Sequence, residues 1–231
     1  MKRVIKRGLP ALVLAVATLA QAAPIDDLVT AAEMNAPRVV RALLLKGVDP
    51  NQADSRSRTA LFTAVRENSV DALEILLTSP QLQVDAVNGD GETPLMFAAI
   101  NGSLPAAKAL VKRGAAVNRK GWTPLHYACS GPDNGVAAFL IAQGAELNAR
   151  SENGTTPLMM AARYGSGDLV PLLIKAGAEP RAANEQELTA ADFAERGGRE
   201  KVAAELRSLM AQRRRAAADA ADRADPADPR K

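Results

Sequence analysis

The chain has one histidine, His126, one cysteine, Cys129, and seven aromatic residues among its 231. Each scarcity excludes something. A zinc site needs three or four clustered ligands, and acid–base chemistry on a histidine needs an orienting partner, so neither can be assembled around His126 alone. A single cysteine closes no intramolecular disulfide, even in an oxidising compartment. There is no glycine loop of the phosphate-cradling kind. The oxygen-rich segment at residues 85–92, DAVNGDGE, lacks the ligand spacing of an EF-hand. No metal and no cofactor is expected, and the chain reads as a non-enzyme.

A surplus of one charge is also missing once the ends are set apart. Residues 1–22 carry Lys2, Arg3, Lys6 and Arg7 and no acid, and the stretch from Gln212 holds six bases and four acids. The region between them has a net charge of −3. That balance excludes nucleic acid as an expected partner. Arg213–Arg215 are followed closely by acids and read as a solvated helix end.

There is one long apolar run, Leu9 to Ala20, broken by Pro10 and Thr18. The basic start before it and the small Ala20 and Ala22 after it make residues 1–22 a secretory signal peptide. Cleavage after Ala22 puts small residues at both required positions, whereas a cut after Ala23 would meet Gln21 and Pro24. The run is short for a transmembrane helix. The lack of a cysteine near the cut argues against a lipoprotein. The leader looks bacterial, which places the mature protein in the periplasm. An uncleaved leader acting as a membrane anchor is the alternative.

What the chain does have is a phrase that returns. TALF starts at Thr59, TPLM at Thr93, TPLH at Thr123, TPLM at Thr156 and TAAD at Thr189, in steps of 34, 30, 33 and 33 residues. A near-fixed period determines architecture before any other signal. The Thr and Pro suit the turn into a helix, the Leu suits a core, and the following small pair lets helices approach closely. Gly114 can take the left-handed conformation that ends a helix, and Asp90-Gly91 and Asn153-Gly154 suit hairpin turns. Pro37 and Pro171 stand near predicted helix starts, where proline is tolerated.

This pattern resembles the ankyrin repeat. The resemblance covers about residues 26–211 and implies an all-α solenoid of paired antiparallel helices with short hairpin fingers. The repeat domain would span 23–211, with six units starting near 26, 59, 93, 123, 156 and 189. The first unit is degenerate, with Asp26 in the Thr place and Leu28 in the Leu place. The sixth has no finger after it, and both ends read as caps. Residues 212–231 form a charged Ala-rich tail. Its first part is expected to extend the last helix and the remainder to be disordered. The third finger, around Asn118–Gly121, is three residues short and should leave a notch in the row of tips.

The resemblance also assigns roles. His126 would bond to the backbone of its turn and join neighbouring repeats. Cys129 would fill a small-residue packing position, buried and inert. The fifth residue of each repeat (Thr63, Phe97, Tyr127, Met160, Phe193) would face the concave side. The eighth is Arg66, Ile100, Ser130 or Arg163. Phe97, Ile100, Trp122, Tyr127, Met160 and Tyr164 would then meet in one region between the third and fourth repeats. Arg66, Arg119, Lys120 and Arg163 would form a basic rim. Four of seven aromatics in one patch is a biased distribution, and aromatic anchors commonly carry binding energy. Half-buried stacking is the other use of the fifth position.

The expected function is a non-catalytic protein–protein interaction module of the periplasm. It would hold an unidentified protein partner on its concave face and finger tips, and act as a monomer. Two alternatives stay open. One is an inhibitor or immunity protein of a specific toxin or enzyme. The other is a membrane-tethered scaffold with an uncleaved leader.

Overall fold

The computed structural model describes residues 24–224. The predicted signal peptide and the last seven residues, predicted disordered, lie outside the described residues. Within them are twelve α-helices in six pairs. Helix α1 (Pro24–Glu33) pairs with α2 (Pro37–Leu45), α3 (Ala60–Arg66) with α4 (Val70–Leu76), and α5 (Pro94–Ile100) with α6 (Leu104–Lys112). Then α7 (Pro124–Ala128) pairs with α8 (Gly135–Ala142), α9 (Pro157–Tyr164) with α10 (Leu169–Ala176), and α11 (Ala190–Arg196) with α12 (Glu200–Ala224). The odd-numbered helices stack each on the next in an inner row, and α2, α4, α6 and α8 stack behind them. No β-strand occurs among the described residues, and a single bridge joins Ala53 to Thr59.

The stacking rests on small residues. Ala98 and Ala99 in α5, and Ala161 and Ala162 in α9, are wholly or almost wholly buried, as are Leu95 and Leu158 beside them. In α7 the same places are taken by Leu125, Ala128 and Cys129, each with no exposure. Cys129 therefore does the packing work of an alanine. Burying one such leucine stabilises the fold by about 1.5–3 kcal/mol. The alanines matter because they let that contact form at close range.

The inner helices from α3 to α11 each begin on a threonine in extended conformation, from Thr59 to Thr189. In the last four of them the residue three places on reaches back to the threonine's backbone N–H, which a helix start would otherwise leave unpaired. Met96 and Met159 accept that N–H with sulfur at 3.3 Å, and Asp192 accepts it with a carboxylate at 2.8 Å. His126 accepts it with Nδ1 at 3.1 Å, and its Nε2 stands 3.0 Å from the carbonyl of Thr155 in the next repeat. Because Nδ1 is the acceptor, Nε2 carries the proton and donates it.

The fingers are bonded to one another as well. Asn51 donates to the carbonyl of Gln81 at 2.9 Å and accepts from the N–H of Gln83 at 2.8 Å. Asn118 does the same with Gly144 and Glu146, each at 2.8 Å. Asp85 accepts from Ala116, and Asn148 from Glu179. This ladder holds each finger base to the following repeat. Four fingers also close on themselves, with Asp54, Asn88, Ser151 and Asn184 each donating a backbone N–H to the residue four places on. The third finger, three residues shorter, lacks that closing pair.

The first repeat differs in detail from its expected form. Its inner helix starts at Pro24, so Asp26 sits inside the first turn rather than capping it. Asp26 instead accepts from the backbone N–H of Ser55 in the next finger, at 2.9 Å. At the far end, α12 continues to Ala224, and residues 211–220 are exposed throughout. No helix among the described residues is long and apolar enough to cross a membrane.

His126 makes the fold sensitive to mild acid. Burial holds its pKa below the ordinary 6.5, so the unfolded chain takes up a proton where the folded one does not. Stability is then full above pH 6.5 and falls as the pH drops below it, by at most about 1.4 kcal/mol per pH unit. The two carboxylates with depressed pKa, Asp54 and Asp192, lose their contribution only below 3.8. Urea unfolding between pH 7 and 5 should show this slope, and His126→Met, which copies Met96 and Met159, should abolish it. An unchanged slope in that variant would refute the assignment.

Candidate functional site

The shortened third finger leads straight into the candidate site. Gly121 has φ +79°, a conformation few side chains allow, and the Glu152 carboxylate lies against it, within 2.3 Å of where a Cβ would stand. The next residue, Trp122, is turned onto the start of α7. Its ring meets His126 edge-on with centroids 5.2 Å apart, and Tyr127 at 6.4 Å and 82°. The Tyr127 hydroxyl donates to Glu92 at 2.8 Å. Burial, then the neighbouring Glu92 carboxylate, push the pKa of that phenol up, so it remains a donor. Glu92 is held in turn by Asn88 at 2.8 Å.

Beside these rings is an open pocket of about 340 Å³. Trp122, Tyr127 and Tyr164 give it three aromatic sides, and Ile100 and Met160 add aliphatic ones. His126 and Ser130 complete the lining. Three inner helices, α5, α7 and α9, thus contribute to one apolar hollow. Tyr164 is 53% exposed and is among the few large apolar side chains that face solvent. A larger hollow of about 610 Å³ lies behind, between α4 and α6, but it contains no aromatic residue and is edged by Lys108, Lys112 and Arg113.

Five of the eight predicted binding residues therefore line one pocket. Phe97 is not among them. Its ring packs edge-on against Phe62 at 5.5 Å and lines a separate depression with Thr63 and Arg66. Phe97 thus lies toward the second repeat, against Phe62, while the pocket's residues come from the third, fourth and fifth repeats. The expected basic rim is also redrawn. Arg119 donates to the Gly91 carbonyl at 2.7 Å and ties one finger to the previous one. Arg66 pairs with Glu67 at 2.8 Å, and Arg163 lies over the Tyr164 ring at 5.0 Å. Sequence reasoning missed the acids, Glu92 and Glu152. Glu92 was visible as the counterpart of Trp122 in the preceding repeat, but nothing in its spacing announced a bond to Tyr127.

Two profiles of known families match the chain. One, described as ankyrin repeats in three copies, matches residues 28–120 and 80–151. The other, ankyrin repeats in many copies, matches residues 140–194. The chain belongs to the ankyrin-repeat family.

Its ankyrin repeats are 45% identical over 69 residues to the human neurogenic locus notch homolog protein 4. They are 39% identical over 82 residues to glycerophosphocholine phosphodiesterase gde1 of Schizosaccharomyces pombe. These matches cover 30% and 34% of this chain but 3% and 7% of those proteins, so the chain spans less than a tenth of the length of either. Among solved structures, it resembles a chain of the complex of the Bd0816 predatory endopeptidase from Bdellovibrio bacteriovorus with immunity protein Bd3460. There the TM-score is 0.67 at 28% identity, covering 80% of this chain and 99% of that one. The ankyrin repeat domain of Bcl-3 gives a TM-score of 0.68 at 28% identity, covering 78% and 80%.

Cys129 takes no part in the pocket. Burial alone pushes its thiol pKa up, and the side chain has no exposure. The thiol of the native protein should resist an aromatic disulfide reagent and react stoichiometrically in denaturant. Rapid labelling in native buffer would contradict this packing role.

Proposed function

We propose that this ankyrin-repeat protein is a non-catalytic binding module of the periplasm, which holds a protein partner against the Trp122 pocket and the neighbouring finger tips. The observation that supports this most is the pocket itself. The chain has one tryptophan and two tyrosines, and all three line the same apolar hollow. A core residue would be buried, whereas these rings are only partly covered. Ankyrin repeats mediate protein–protein interaction, and a surface preformed on stacked helices loses little entropy when a partner docks. Export rests on the leader at residues 1–22.

A second reading has its own support. The likeness to a chain from an endopeptidase–immunity protein complex, over 99% of that chain, favours a partner that is an enzyme and a binding event that blocks it. In that case the pocket would anchor a segment near the enzyme's active site. A membrane-tethered scaffold requires the leader to stay attached.

Trp122→Ala and Tyr127→Ala should each weaken capture of a partner cross-linked in intact cells by at least about tenfold, the range of an interface hot spot. Helical content should stay unchanged. Undiminished capture by both variants would remove the pocket from the binding site. N-terminal sequencing of the exported protein should begin at Ala23, while a protein starting at Met1 would favour the tethered form.

A further inference from the structure

The kind of side chain that the pocket takes follows from its charge as well as its shape. Trp122 and Tyr127 present rings at 82° to one another, and Tyr164 adds a third. The face of an aromatic ring carries negative potential, so rings set around a hollow attract a cation more than a neutral group of the same size. Carboxylates stand at the edges. Glu92 is bonded to Tyr127, and Glu152 lies against Gly121 beside Trp122. Of the nearby cations, Arg119 is held by the Gly91 carbonyl, Arg163 lies over the Tyr164 ring, and Lys120 is exposed on the finger. None of the seven residues that line the hollow is a lysine or an arginine, so its inner surface is apolar and aromatic.

Building on the reading of this pocket as the partner site, we propose that its occupant is a basic side chain, an arginine or lysine, projecting from the partner protein. The aliphatic stem would lie along Ile100 and Met160, with the charged head between the rings and within reach of Glu92 or Glu152. A stem that packs and a head that stays polar is how long cationic side chains normally bury. Trp122 and Tyr127 are only partly buried and Tyr164 is exposed, so such a chain can reach the hollow from solvent.

Trp122 supplies its own reporter, since its indole N–H gives a single resonance in the full-length protein. Capped glycine tripeptides with a central arginine or lysine would be titrated against it. Their neutral isosteres, citrulline and norleucine, would be titrated in parallel. The arginine and lysine peptides should shift the resonance with at least about fivefold tighter affinity than their isosteres, as expected for a cation on exposed rings. Tyr164→Leu, at a position 53% exposed, should reduce that preference for the charged peptides over their isosteres. Glu92→Gln should reduce it too. Equal or tighter binding of the neutral peptides would overturn the proposal and leave an apolar pocket. A resonance that none of the four peptides moves would also overturn it, while partner capture through Trp122 stands or falls separately.

Discussion

The close approach of the inner helices across alanine is the constraint on which the rest of this structure depends. Ala98, Ala99, Ala161 and Ala162 are buried between helices that larger side chains would hold apart. That packing lets Leu95, Leu125 and Leu158 join one continuous core. The recurring threonine follows from it. A helix whose first turn is pressed against a neighbour cannot leave its N–H groups to water, and four of the starts, at Thr93, Thr123, Thr156 and Thr189, carry an internal acceptor. Methionine, histidine and aspartate all serve, because the geometry asks only for a lone pair three residues on.

His126 shows how one such acceptor gains a second task. Methionine at this place ends at its own helix, while the imidazole has a second nitrogen on its far side and reaches the Thr155 carbonyl. The bond is fully buried, and the Trp122 ring stands edge-on over the imidazole. The residue that connects the fourth repeat to the fifth is therefore also part of the candidate site's lining. Stability and recognition share a side chain here.

Most of the fold was legible in the sequence because the repeat forces it. Thr93, Thr123 and Thr156 fall at equivalent positions for a steric reason, and a period that arises from packing can be read from letters alone. Cys129 was legible for the same reason, as a small residue in an alanine's place. The ladder at Asn51, Asp85, Asn118 and Asn148 was equally periodic but was hidden by its variety of neighbours. The candidate site was legible in part. Its aromatic members could be named, since Trp122 and Tyr127 occupy positions that vary between repeats. Which neighbour each ring meets could not, because that depends on the side chains the adjacent repeat presents. Phe97 meets Phe62, and Arg119 bonds to a carbonyl of the adjacent finger.

The third finger, three residues short, leads directly into Trp122 and the other rings of the candidate site. Elsewhere the finger closes on itself and the residue before the threonine is held in that closure, as Glu92 is by Asn88. The closure uses only the backbone of that residue, so it accepts the apolar Leu188 before Thr189 as well as Glu92; before Thr123, where the closing pair is missing, the place is taken by Trp122. Trp122 then covers the edge of His126, a contact that a polar residue there would not make. It also stands next to Gly121, where φ +79° favours glycine and the flexible Glu152 carboxylate occupies the space a side chain would take. The partly covered indole lies at the rim of an apolar hollow, directly after the shortened finger. The irregularity in the repeat and the candidate site are thus neighbours in the chain and in space.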